Sequence, residues 1–231
     1  MKIIGLSGKI GTGKNYIGEK LIGRQLYNMG YNIHILAFGD QVKYEFGSRM
    51  SVITDISTLT SEMDDVYNKL FVNKTKDIRT KLQYYATEHC REGTSLTVKD
   101  DFIMFNEPNI WIKSLYLQIK NILSKSYDTA RDVFIITDVR FQNEANFIKY
   151  LDGIIIRIEA PIRNYDKIKQ EVEKTCLAED DIKTEIEKIS NHCSETDLDT
   201  YIFNYTVEND YKDLDMEDTV VGVVNSFIKR L

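Results

Sequence analysis

The stretch Gly8-Lys9-Ile10-Gly11-Thr12-Gly13-Lys14 has the residue types and spacing to hold a polyphosphate. Its glycines let the backbone turn tightly and present consecutive N–H groups, while a helix that follows adds the positive end of its dipole. Lys14 would then reach the β- and γ-phosphates, and Asn15 stands at the position where Ser or Thr is usual. A second chemical group lies in Thr137-Asp138-Val139-Arg140. Side chains alternate along a strand, so Asp138 and Arg140 point the same way, and at a strand's carboxyl end that way is toward a cleft. Glu144, four residues past Arg140, could hold its guanidinium once a helix has begun.

These groups need a scaffold, and the chain supplies strands alternating with helices. The apolar run Ile3-Ile4-Gly5-Leu6 precedes the glycine loop, and Ile17, Leu21, Ile22, Leu26 and Met29 fall on one face of a helix from Asn15 to Gly30. A short buried strand, Ile33 to Phe38, comes next, and the turn Phe38-Gly39-Asp40-Gln41-Val42-Lys43 places Asp40 and Lys43 at the carboxyl edge of a parallel sheet. Pro108 opens a helix with a core stripe of Trp111, Leu115, Ile119 and Ile122. Val133 to Ile136 reads as a central strand, Gly153 to Ile158 as the next, and Tyr201 to Val207 as the last, before a helix that packs Met216, Val220, Val224 and Phe227.

Two stretches depart from this rhythm. Between Ser48 and Glu107 the pattern loosens, with Ile78 to Glu92 its clearest helix, as suits a substrate-binding excursion. From Asn164 to Ser190 two charged helical segments, Asp166 to Lys174 and Glu179 to Ile189, are too polar for a core and suit a lid or a solvated hairpin. The expectation is therefore one α/β domain over 1–231 with a central parallel sheet and helices on both faces. Its core covers about 1–47, 109–162 and 196–231, its excursion about 48–108 and its lid about 163–195.

With 231 residues, 42% of them hydrophobic, the chain can bury a sizeable core. A net charge of −6 argues against polymeric nucleic acid or anionic membrane as a partner, so a phosphate site must be a local basic cluster, for which Lys9, Lys14, Arg140 and Arg163 are candidates. No apolar stretch is long enough to span a bilayer, and no signal-peptide pattern is present. The cysteines Cys90, Cys176 and Cys193 form no C-x-x-C pair, and a cytoplasmic, reducing setting is expected.

Blander readings cover the other suggestive residues. His192 and Ser194 lack a nucleophile elbow and read as loop-ordering groups; the adjacent pairs His89-Cys90 and His192-Cys193 are awkward zinc ligands. Asn73-Lys74-Thr75-Lys76-Asp77 imitates a guanine-specificity signature by coincidence. Trp111 reads as core, while Tyr84 and Tyr85 fit a base-stacking role and a packing role equally.

Taken in order, the glycine loop with Asn15, Phe38 to Lys43, Arg79 with Leu82-Gln83 and Ala86-Thr87-Glu88, Trp111, Thr137 to Ala145, and His192-Cys193-Ser194-Glu195 resemble the phage and viral deoxynucleoside monophosphate kinase family, within the P-loop kinases. The resemblance runs to about Glu208, and Asp138-Val139-Arg140 with Ser194-Glu195 is its most specific part. It implies ATP with Mg²⁺, a deoxynucleoside monophosphate as acceptor, and transfer of the γ-phosphoryl group to it. By the same resemblance, Gly8 to Asn15 hold ATP, and Asp40, Lys43, Arg79, Gln83, Arg140 and Glu144 surround the acceptor. Lys14, Arg140 and Asp138 act in catalysis, Arg163 is a lid arginine, and Asn15 and Asp138 meet the metal. Asp138 either contacts Mg²⁺ through water or positions Arg140. A kinase for phosphomevalonate or a coenzyme A precursor shares much of the pattern, and Asn15 motivates a third reading, a nucleotide-binding protein without transfer activity. A homodimer is left open.

Overall fold

The computed structural model describes residues 1–51, 76–91, 107–174, 179–210 and 216–229. Most of the expected excursion, the Asn73-Lys74-Thr75 part of the guanine-like signature and Cys176 lie outside the described residues. The chain divides into two compact units, one of 1–37 with 119–231 and one of 38–118.

The first unit is built on a five-stranded parallel sheet: β1 (Lys2–Ser7), β2 (Asn32–Leu36), β3 (Asp132–Val139), β4 (Ile154–Glu159) and β5 (Tyr205–Glu208), in the order β2-β3-β1-β4-β5. This is the α/β class that the alternation predicts. The β-branched runs of β1, β3 and β4 are buried nearly throughout, as strands covered on both faces require. Alternation along β1 sends Ile4 and Leu6 to one face, where they meet Ile17, Ile22 and Leu26 of the first helix and Val220, Val224 and Phe227 of the last. Gly5 faces the other way, and a Cβ there would lie 2.6 Å from Ile148 Cδ1, so the helix after β3 is seated directly on the strand.

The first helix, α1, is composite: an α-helical turn Lys14–Tyr16, a π-helical stretch Ile17–Gly23 and an α-helical end Arg24–Asn28. Its wide middle turns bring Ile17 and Ile22, five residues apart, both to full burial. The regular 3.6-residue stripe therefore misplaces one member, because Met29 is 48% exposed past the helix end. The β2 strand stops at Leu36, and Phe38, read from the sequence as its last residue, begins α2 (Phe38–Ser51). β5 is shorter than expected: Asn204 precedes it, and its side-chain oxygen accepts the Ile155 N–H at 2.9 Å.

In the second unit, α2, α3 (Lys76–Tyr84, continued by a π-helical turn Tyr85–His89) and the start of α4 (Ile110–Leu123) pack around Trp111, which is 1% exposed and donates Nε1–H to the Ala86 carbonyl at 3.0 Å. Trp111 is thus core, and so is Tyr85, while Tyr84 is exposed.

After β3 come α5 (Gln142–Tyr150) and β4, then α6 (Pro161–Glu173), α7 (Glu179–Ser190), the short α8 (Cys193–Thr196), β5 and α9 (Met216–Lys229). The charged pair expected to stay out of the core divides in two: α6 buries Ile168 and Val172, whereas α7 buries none of its residues.

Candidate active site: a glycine loop beside an ion pair

Register fixes which loops meet. Ser7 of β1 pairs with Val139 of β3 and with Arg157 of β4, so Gly8 and Arg140 leave neighbouring parallel strands at the same carboxyl edge. That edge is where open α/β sheets bind ligands. Gly11 (φ +78°) and Gly13 (φ +88°) hold left-handed backbone that other residues rarely adopt. Gly8 is required by space: a Cβ there would lie 2.6 Å from the Ile158 carbonyl oxygen.

The loop is braced from outside. Asn209, just past β5, donates Nδ2–H to the Thr12 carbonyl at 2.8 Å, and Asn164 of α6 donates to the Ile10 carbonyl at 2.7 Å. Thr12 Oγ1–H donates to the Lys9 carbonyl at 3.0 Å. Arg163 sends Nη1–H to the Asn209 carbonyl at 3.0 Å, on the Gly13 side of the loop. Asn209→Ala leaves the buried Thr12 carbonyl without that donor, which costs about 1–3 kcal/mol. Thermal unfolding should therefore show a Tm several degrees lower, and an unchanged Tm would refute the brace.

Lys14 is 8% exposed, and its ammonium donates to the Gly8 and Lys9 carbonyls, each at 2.7 Å. Burial, and after it the Arg140 guanidinium, lower its pKa from 10.5 to about 7, although the Glu195 and Asp138 carboxylates pull the other way. Lys14, Arg140, Asp138 and Glu195 therefore share one electrostatic site, joined by Arg157, whose guanidinium donates to Ser7 Oγ at 3.2 Å. Asn15 is exposed at the start of α1.

Arg140 is ion-paired through Nη1 with Glu195 of α8, and Nη1 also donates to the Ser194 carbonyl at 3.4 Å. Burial opposes its charge, but the Glu195, Asp138 and Glu144 carboxylates outweigh it and raise its pKa above the ordinary arginine value. Spacing offers Glu144 as a holder of the guanidinium; the structure pairs the guanidinium with Glu195. Glu144 is 2% exposed, and its Oε2 accepts the backbone N–H groups of Arg140 (2.9 Å) and Phe141 (3.1 Å), because the first turn of α5 needs acceptors for its free donors.

In the second unit, Lys43 and Asp40 form an ion pair three residues apart in α2, and Arg79 and Gln83, four apart in α3, share a helix face. His192 orders its loop as expected, accepting the Ser194 N–H at Nδ1 (3.2 Å) to cap α8. Among the described residues no group of three His, Cys, Asp or Glu side chains is placed to hold a metal ion. Among them, too, no helix is long and apolar enough to cross a membrane.

The sequence reading missed Glu195, Asn209, Asn164, Arg157 and Asp199. In the sequence Ser194-Glu195 is a motif without a role, and a lone motif carboxylate in need of a cation is the available signal.

No family model matches the chain. Among solved structures it is similar to dephospho-CoA kinase from Campylobacter jejuni (14% identity, 99% of this chain and 98% of that one, TM-score 0.46) and to shikimate kinase from Bacteroides thetaiotaomicron (10%, 99% and 98%, TM-score 0.36). Among curated proteins it is 29% identical over 183 residues, 79% of this chain and 86% of the relative, to the "Putative deoxynucleotide monophosphate kinase" of Acanthamoeba polyphaga mimivirus. The likeness first read from the glycine loop, Asp138-Val139-Arg140 and Ser194-Glu195 is thus met by a relative of that description, and the chain resembles the viral deoxynucleoside monophosphate kinase family of the P-loop kinases.

Proposed function

We propose that the protein is an ATP-dependent deoxynucleoside monophosphate kinase. The observation that carries the reading is the single site shared by Lys14 in the glycine loop and Arg140 at the exit of β3, with a guanidinium anchored beside a main-chain anion cradle. Such a site suits two phosphorylated molecules meeting end to end. An oxygen of the acceptor phosphate attacks the γ-phosphorus of ATP, the bond to the β,γ-bridging oxygen breaks, and ADP leaves with the electron pair. The acceptor is already an anion at neutral pH, so no general base is needed and positioning with charge stabilisation does the work.

Gly8 to Lys14 hold the donor phosphates in this reading. Arg140 orients the acceptor phosphate and offsets repulsion between the two anions, for which a two-point guanidinium suits better than an ammonium. The Asn15 amide and Asp138 carboxylate are hard oxygen donors of the kind Mg²⁺ takes together with substrate phosphates, and the Asp138 charge acts on both Lys14 and Arg140. Bound with ATP, the ion would neutralise charge on the phosphates. Asp40, Lys43, Arg79 and Gln83 are assigned to the acceptor, and Arg163 to the lid, on the resemblance alone. Glu144, given to the acceptor by the same resemblance, supports the start of α5 beside Arg140 through Oε2, which accepts the Arg140 and Phe141 N–H groups.

A panel of monophosphates with ATP and Mg²⁺ tests the reading. ADP release should depend on one or more deoxynucleoside monophosphates; activity confined to phosphomevalonate or a coenzyme A precursor would move the chain to another kinase class. ATP binding without acceptor-dependent turnover would leave it a nucleotide-binding protein.

A further inference from the structure

One short stretch, His192 to Asp199, gathers contacts from every part of the phosphate edge. Glu195 is central, with its side chain 4% exposed. One carboxylate oxygen pairs with Arg140, and the other accepts the N–H of Ile10, a donor of the glycine loop, at 2.9 Å. Its neighbours fasten the stretch itself. Asp197 accepts the Gln142 N–H at 2.7 Å where α5 begins, and Asp199 pairs with Lys9 of the loop (3.1 Å) and Arg157 of β4 (3.4 Å). The His192 cap holds the first turn of α8.

A carboxylate this buried is tolerated only when it is paired and hydrogen-bonded, and Glu195 is both. Its two oxygens serve different elements, so it acts as a fixed strut between them. An arginine side chain has several rotatable bonds, and at the mouth of a cleft its head would otherwise sample many positions. We propose that Glu195 is a positioning residue that holds the Arg140 guanidinium against the glycine loop, at the place where the transferred group meets its acceptor. The role of that place rests on the kinase reading above; the holding itself does not.

Two readouts separate these claims. Side-chain NMR of arginine-labelled protein follows rotation of the Arg140 guanidinium and needs no turnover. Rotation should be slow in the native protein and become fast in Glu195→Gln, which keeps an acceptor for Ile10 but loses the charge; unchanged rotation would overturn the proposal. Kinetics give the second readout. Glu195→Gln should lower kcat about 10²-fold, the cost of a misplaced group, with KM for ATP within about threefold of native. Glu195→Asp, which keeps the charge on a shorter stem, should recover part of that loss.

In an Arg140→Ala background the same Glu195→Gln exchange should change kcat by less than about twofold, since its effect passes through Arg140. An equal loss in both backgrounds, or failure of both Glu195 variants to fold, would make Glu195 a structural support and overturn the proposal. Fast guanidinium rotation in Glu195→Gln, from a native protein that transfers no phosphoryl group to any acceptor, would uphold the holding and remove the kinase reading.

Discussion

Arg140→Ala is expected to lower kcat/KM by roughly three orders of magnitude, about 4 kcal/mol of lost transition-state stabilisation. The reason is geometric before it is electrostatic. Arg140 leaves β3 at the edge where the glycine loop leaves β1, and its side chain keeps 29% exposure while its Nη1 is anchored by Glu195. The remaining guanidinium nitrogens are those available to a phosphate oxygen. Arg140→Lys separates charge from shape: an ammonium keeps the charge but cannot both satisfy Glu195 and grip a phosphate at two points. We expect it to restore no more than about a tenth of the activity. Alanine also takes the ion-pair partner from the buried Glu195 carboxylate, so thermal unfolding belongs beside the kinetics, and a Tm lower by several degrees is expected. Near-native turnover in Arg140→Ala would remove Arg140 from the chemistry.

The cradle was legible because everything that makes it is local. Glycines at Gly11 and Gly13 announce positive φ, an apolar run ahead of them announces a strand, and alternation along β3 brings Asp138 and Arg140 to one side. The partners were not legible, because they come from far along the chain. Glu195 lies 55 residues from Arg140, and Asn209 lies 197 from Thr12. No periodicity links such positions; only the sheet order does. Glu144 shows the same limit at short range. Spacing of four correctly placed it beside Arg140, but could not say that the unfilled N–H groups of a new helix would claim its carboxylate. The π-helical stretch in α1 is a third case: it departs from the regular period, and the helix ends at Asn28 with Met29 exposed beyond it.

Lys14 carries the second large effect, and its signature extends beyond rate. Lys14→Ala should reduce kcat/KM by about 10³-fold, since the other lysine of the loop, Lys9, is drawn to Asp199 and Lys14 is the cation placed for the β- and γ-phosphates in the proposed reading. Without nucleotide, burial and Arg140 hold the ammonium pKa at about 7. A polyphosphate against it favours the charged form and raises that value, so at about pH 8 ATP binding should draw close to one proton from solvent. Calorimetric titrations in buffers of different ionisation heat measure this uptake directly. It should shrink toward pH 6, where Lys14 is protonated before and after binding, and vanish in Lys14→Met, which keeps the stem's bulk. The same shift has a consequence for the free protein. Between pH 7 and 10.5 the unfolded chain holds a proton on Lys14 that the folded chain lacks, so this group's contribution to stability rises with pH through that window. Lys14→Met should flatten that rise, and a native protein that binds ATP at about pH 8 with no proton uptake would show that the ammonium does not meet the phosphates.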